Sequence, residues 1–156
     1  MKKILIVMLV LSGWLFAYEM NYDKNTTGLV RHMQVYKDPK WVAKIDLSSG
    51  EEIFFVSPKS MFEFYFQPGK WPEFNIKSED DFKNIYVTDF ATTKPVKAKG
   101  AFFVYGSSVT SPAGDDLVPF DSYRAAEEFS KRNNGKRIFG FREVSKGLIN
   151  WLNDSL

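Results

Sequence analysis

The sequence predicts an α+β fold of two similar ββαβ-like units in one compact chain, on three observations. A hairpin pattern runs from Trp41 to Val56, a short helical pattern follows at Pro58 to Phe66, and the same order of elements returns after Ala101. Units of about sixty residues are marginal alone, so the two halves are expected to share or abut their cores.

Taken in order, the chain begins with Lys2 and Lys3, an apolar run of 13 residues from Ile4 to Phe16, and Ala17. This is the layout of a signal peptide, residues 1–17, and the run is short for a bilayer span of about 20 residues. The cleavage site is irregular, because Leu15 stands where a small residue is usual, and an uncleaved segment would leave the domain tethered to the membrane. No cysteine follows the apolar run, which excludes a lipoprotein anchor. Without Lys2 and Lys3 the 21 basic residues become 19, equal to the 19 acidic ones. The electrostatic case for nucleic acid goes with them. The absence of cysteine also excludes disulfides and thiolate chemistry.

Residues 18–28 are polar and aperiodic and read as a flexible leader; the glycosylation triplet Asn25-Thr26-Thr27 within it is a pattern common by chance. The first unit covers 29–90. A strand is expected from Leu29 to Tyr36, a turn at 37–40, and a hairpin with alternating Trp41, Ala43, Ile45 and Leu47 turning at Ser48 to Glu51 into Ile53 to Val56. Ser57 is a helix cap with Pro58 in the first turn, and Met61, Phe62 and Tyr65 share one helix face. Pro68, Gly69 and Pro72 open a loop to Asp80, and Asn84 to Phe90 is the next strand.

The second unit covers 91–156. Ala101 to Tyr105 and Leu117 to Phe120 are extended, on either side of a Gly, Ser and Pro-rich connection. Asp121 caps a helix whose Ala125, Ala126 and Phe129 repeat Met61, Phe62 and Tyr65 at an offset of 64 residues. The helix stops at Asn133-Asn134-Gly135, with the glycine suited to a left-handed cap, and Arg137 to Phe141 is the matching strand. Glu143 to Leu152 closes the chain as a helix packed through Val144, Leu148, Ile149 and Trp151.

Several of these segments resemble the NosL family, the nitrous oxide reductase accessory proteins. They are Tyr86-Val87-Thr88-Asp89-Phe90, Ala101 to Ser107, Gly114 to Phe120 and Asn134-Gly135 to Phe141, with Met33, Tyr36 and Pro39-Lys40-Trp41 in the first half. The resemblance covers nearly the whole mature chain in the family's order. It implies two ββαβ units related to part of the organomercurial lyases, and a periplasmic role holding Cu(I) for the copper centres of nitrous oxide reductase. It also implies a Cys-x-x-Cys-Gly-Met motif and a Gly-Pro-Met-Gly segment, and here the chain departs. Arg31-His32-Met33 stands at the Cys-Gly-Met ending, and Ser111-Pro112-Ala113-Gly114 at the second segment.

Cu(I) prefers thiolate and thioether donors and generally needs two or three of them. The mature chain offers only Met20, Met33 and Met61 as sulfur donors and His32 as imidazole. Met61 falls on the apolar helix face and reads as core; Met20 lies in the leader. Met33 is either a packed strand residue or the surviving motif donor. His32 is either a solvent-facing strand residue or a ligand, and in a regular strand the two side chains would point to opposite faces. A metal site at Met33 and His32 is therefore either weak or completed by another protein.

Other chemistries lack their residues. Ser107 and Ser108 have no histidine base in the local motif, Asp115-Asp116 matches a solvated turn better than a calcium loop, and the clusters Phe54-Phe55 and Phe62 to Phe66 read as core. The expectation is a non-enzymatic periplasmic protein with a degenerate Cu(I) site. Its partners would be nitrous oxide reductase or other copper-handling proteins. The alternative is a metal-free interaction module that keeps the fold.

Overall fold

The computed structural model describes residues 17–154; the expected signal segment lies outside the described residues except for Ala17. Strand β1 (Ala43–Leu47) is the centre of the first sheet, because its buried Ala43, Ile45 and Leu47 alternate with Lys44 and Asp46. It pairs antiparallel with β2 (Glu52–Phe55) on one side and β3 (Phe82–Thr88) on the other, matching Ala43 to both Phe55 and Val87. Between β2 and β3 runs helix α1 (Pro58–Phe66), with the Ser57 side chain accepting the Ser60 N–H as N-cap.

The second half repeats the pattern. Strand β5 (Phe102–Tyr105) is central, β6 (Leu117–Phe120) flanks it as its hairpin partner, and helix α2 (Tyr123–Arg132) leads to β7 (Arg137–Gly140) on the far side. The sheet orders β2-β1-β3 and β6-β5-β7 are the same arrangement twice, as the sequence predicts. One strand was not legible: β4 (Pro95–Lys97) extends the first sheet beyond β3, its proline tolerated because the strand is an edge. Helix α3 (Lys146–Asp154) closes the chain.

The two units share one core. Helix α1 is buried on nearly every side because it packs on the first sheet, on β6 and on α3. Phe62 meets Phe103 of the second unit at 5.3 Å and Phe141 at 5.1 Å, while Phe64 meets Phe55 at 5.7 Å. Strand β5 divides two clusters, with Phe103 on the α1 side and Val104 on the α2 side. Trp41 and Phe90 of the first unit cross into the α2 cluster, their rings 5.1 Å apart.

Local expectations change at several points. The strand expected from Leu29 to Tyr36 is not formed: the chain reverses between Gly28 and Met33, then makes short 3-10 turns at Val35–Lys37 and Pro39–Trp41. The segment 18–28, expected to be a loose leader, has specific contacts. Tyr18 stacks on Tyr86 at 4.1 Å and its hydroxyl accepts from Lys44 Nζ at 3.1 Å, while a Cβ at Gly28 would stand 3.0 Å from Val56. The cap of α2 is Ser122, not Asp121, so cap to cap the repeat is one residue longer than expected. After α2 the left-handed residue is Asn134, at φ 56°. Gly135 is needed for space instead, since a Cβ there would lie 2.3 Å from Ser130 Oγ and 2.7 Å from Val104. In α3 the buried residues are Ile149 and Leu152, and Trp151 is 64% exposed rather than packed.

Candidate functional site

The reversal at 28–33 is closed by two backbone bonds, Gly28 N–H to the Met33 carbonyl at 2.8 Å and His32 N–H to the Gly28 carbonyl at 2.9 Å. His32 holds φ at 53°, a left-handed conformation uncommon for a non-glycine residue. That backbone removes the strand alternation that would have sent His32 and Met33 to opposite faces. Both are exposed, Met33 by 43%, and Met33 does not pack as a strand residue. Val35, two residues after Met33, is buried and anchors the loop.

The second segment predicted from sequence forms a tight turn. Ser111 and Gly114 exchange backbone bonds at 2.9 and 3.0 Å, with Gly114 at φ 85°. Ala113 at its tip is buried in a small cluster with Val35, Val42 and Val56. The fold thus brings the His32-Met33 loop and the 111–114 turn onto one apolar support. Ala113 supplies only a methyl group at the position where the resemblance implies a methionine.

Beneath that turn lies a buried polar network that sequence reasoning missed. Asp116, expected in a solvated turn, is almost completely buried. Its Oδ1 accepts the Lys59 N–H at 2.7 Å and the Leu117 N–H at 2.8 Å, and its Oδ2 accepts the Ser111 hydroxyl at 2.7 Å. The carboxylate therefore supplements the N-terminus of α1 as well as fixing the turn. Burial raises the Asp116 carboxyl above its ordinary range, opposed by hydrogen bonds from Ser57, Leu117, Ser111 and Lys59. Lys59, also fully buried, donates from Nζ to the carbonyls of Ala113 at 2.6 Å and Leu152 at 3.2 Å, joining the turn to α3. Burial lowers its ammonium below the ordinary lysine value, against the opposing pull of Asp116. The signal available in sequence was a lysine in the first turn of a helix rich in methionine and aromatic residues, which needs acceptors if it is buried.

The remaining candidates separate from the site. Met61 is fully buried in the shared core, and Met20 is partly buried against the Val35 cluster. Arg31 is held away from the loop tip by Asn153, whose Oδ1 accepts from it at 2.6 Å, and by Glu63 at 3.7 Å. Among the described residues no group of three or more His, Cys, Asp or Glu side chains could hold a metal ion.

The family model that matches is NosL, over residues 19–149. The chain belongs to the NosL family. The crystal structure of the copper chaperone NosL from Shewanella denitrificans aligns with a TM-score of 0.71 at 21% identity, covering 83% of this chain and 97% of that one. The solution structure of apo-NosL from Achromobacter cycloclastes aligns at a TM-score of 0.48 and 22% identity, covering 69% and 87%. No curated protein matches. At 21% identity the likeness to the Shewanella denitrificans structure shows the α+β fold, and the chemistry must come from the residues. In this NosL-family chain the two paired segments supply one thioether, Met33, one imidazole, His32, and no thiolate.

Proposed function

We propose that the chain is a periplasmic, non-enzymatic accessory protein that handles Cu(I) as cargo, through a degenerate site of Met33 and His32 completed by donors from a partner. Nitrous oxide reductase or another periplasmic copper-handling protein is the partner, and residues 1–17 direct export. The observation that carries this reading is the tight reversal that leaves His32 and Met33 adjacent and exposed on an anchored loop. A donor pair in solvent can be approached by a second protein. Family membership supports the copper-handling class.

A second reading, a metal-free interaction module, is favoured by Arg31 and Ala113. The first is committed to Glu63 and Asn153, and the second is buried in apolar contacts. An anaerobic competitive Cu(I) titration of the full chain beside Met33→Ala and His32→Ala separates the two. The copper reading expects weak binding that falls at least tenfold, about 1.4 kcal/mol, in Met33→Ala. Binding indifferent to both variants contradicts the site, and no binding with or without a copper-loaded partner leaves the metal-free module.

A further inference from the structure

A cavity of about 230 Å³ lies where the two units meet, away from the His32-Met33 loop. Part of its wall is aromatic: Tyr65 and Phe66 come from α1 of the first unit, and Phe141 comes from the 3-10 turn after β7 of the second, its ring 5.2 Å from Tyr65. Lys99, from the 3-10 turn that links the units, and Arg142 bring two cations to the same cavity. Neither makes an ion pair or a side-chain hydrogen bond among the described residues. The one acid present, Glu79, is already engaged by the Tyr65 hydroxyl at 2.7 Å. Burial and that acid push the phenol up to about 12, so it stays a neutral donor to Glu79.

Concave sites between structural units, with apolar walls and a few convergent polar groups, are where small ligands settle. Here two cations that make no ion pair among the described residues line one cleft with three aromatic rings and a carboxylate already engaged by Tyr65. We propose that this cleft binds a small organic monocarboxylate with a ring-sized apolar body. The carboxylate pairs with Arg142, whose planar fork matches its two oxygens, and with Lys99, while the ring lies against Phe66 and Phe141. The volume falls below the roughly 300 Å³ of a typical ligand pocket, which limits the body to about one ring. Glu79 disfavours a second negative charge.

The test is isothermal titration of the full chain with sodium benzoate, alongside benzyl alcohol and inorganic phosphate. Benzoate is expected to bind with a Kd of about 1 mM or tighter, given its few heavy atoms. The double variant Lys99→Gln, Arg142→Gln should weaken it at least tenfold, and Lys83→Gln on the surface of β3 should not. All substituted side chains are on the surface, so circular dichroism should be unchanged. Absence of benzoate binding at about 10 mM overturns the proposal. So does equal binding of benzyl alcohol or phosphate, or a double variant that binds as wild type does.

Discussion

Replacing Asp116 by alanine removes an acceptor on which several buried donors converge. The Lys59 N–H at 2.7 Å, the Leu117 N–H at 2.8 Å and the Ser111 hydroxyl at 2.7 Å would each lose a partner. A buried donor left unsatisfied costs about 1–3 kcal/mol, and removing the burdened carboxylate returns part of the sum, so the net loss is about 3 kcal/mol or more. Asp116→Asn keeps an acceptor for both backbone donors and turns its amide toward Ser111, so it should lose no more than about 1 kcal/mol. Urea unfolding measures both, as a fall in midpoint at constant slope. The pH dependence adds a sign. Because the folded carboxyl is raised above 3.8, the folded protein holds that proton more tightly than the unfolded chain. Its contribution is complete below 3.8 and is lost as pH rises through the folded value, so the asparagine variant should gain on wild type over that window. An alanine variant within about 1 kcal/mol of wild type, or an asparagine variant as unstable as alanine, would refute the network.

Three further substitutions probe other parts of the account. Gly135→Ala should cost about 1–3 kcal/mol in urea, since the new methyl group meets Ser130 and Val104. Tyr18→Ala removes the stack on Tyr86 and one partner of Lys44; it should cost about 1 kcal/mol and speed limited proteolysis between residues 18 and 28. Met33→Ala, at an exposed position, should change stability by no more than about 0.5 kcal/mol, so that any effect on copper is read on a folded protein.

Much of the architecture was legible because local rules and tertiary contacts agree there. The alternation of Ala43, Ile45 and Leu47 is the face that β1 buries, and Ser57-Pro58 starts α1 where the cap rules place it. Helix caps and turns misled by one residue at Ser122 and Asn134, since neighbouring Asp121 and Gly135 are equally good by type. Strand β4 was hidden by its own proline. The candidate site was half legible. The two segments were found by resemblance and do converge through Val35 and Ala113, but the reversal at 28–33 depends on a left-handed His32 that no glycine advertised. Asp116 and Lys59 could not be paired from sequence, being brought together only when α1 of the first unit meets the long loop of the second.

The most direct test of the copper reading is X-ray absorption at the copper edge of the full chain loaded with one equivalent of Cu(I), with and without Met33→Ala. A site of Met33 and His32 gives one sulfur and one nitrogen from the protein, with any remaining donors from solvent, and the sulfur disappears in the variant. A shell of two or more sulfurs, or a spectrum that Met33→Ala leaves unchanged, would contradict it.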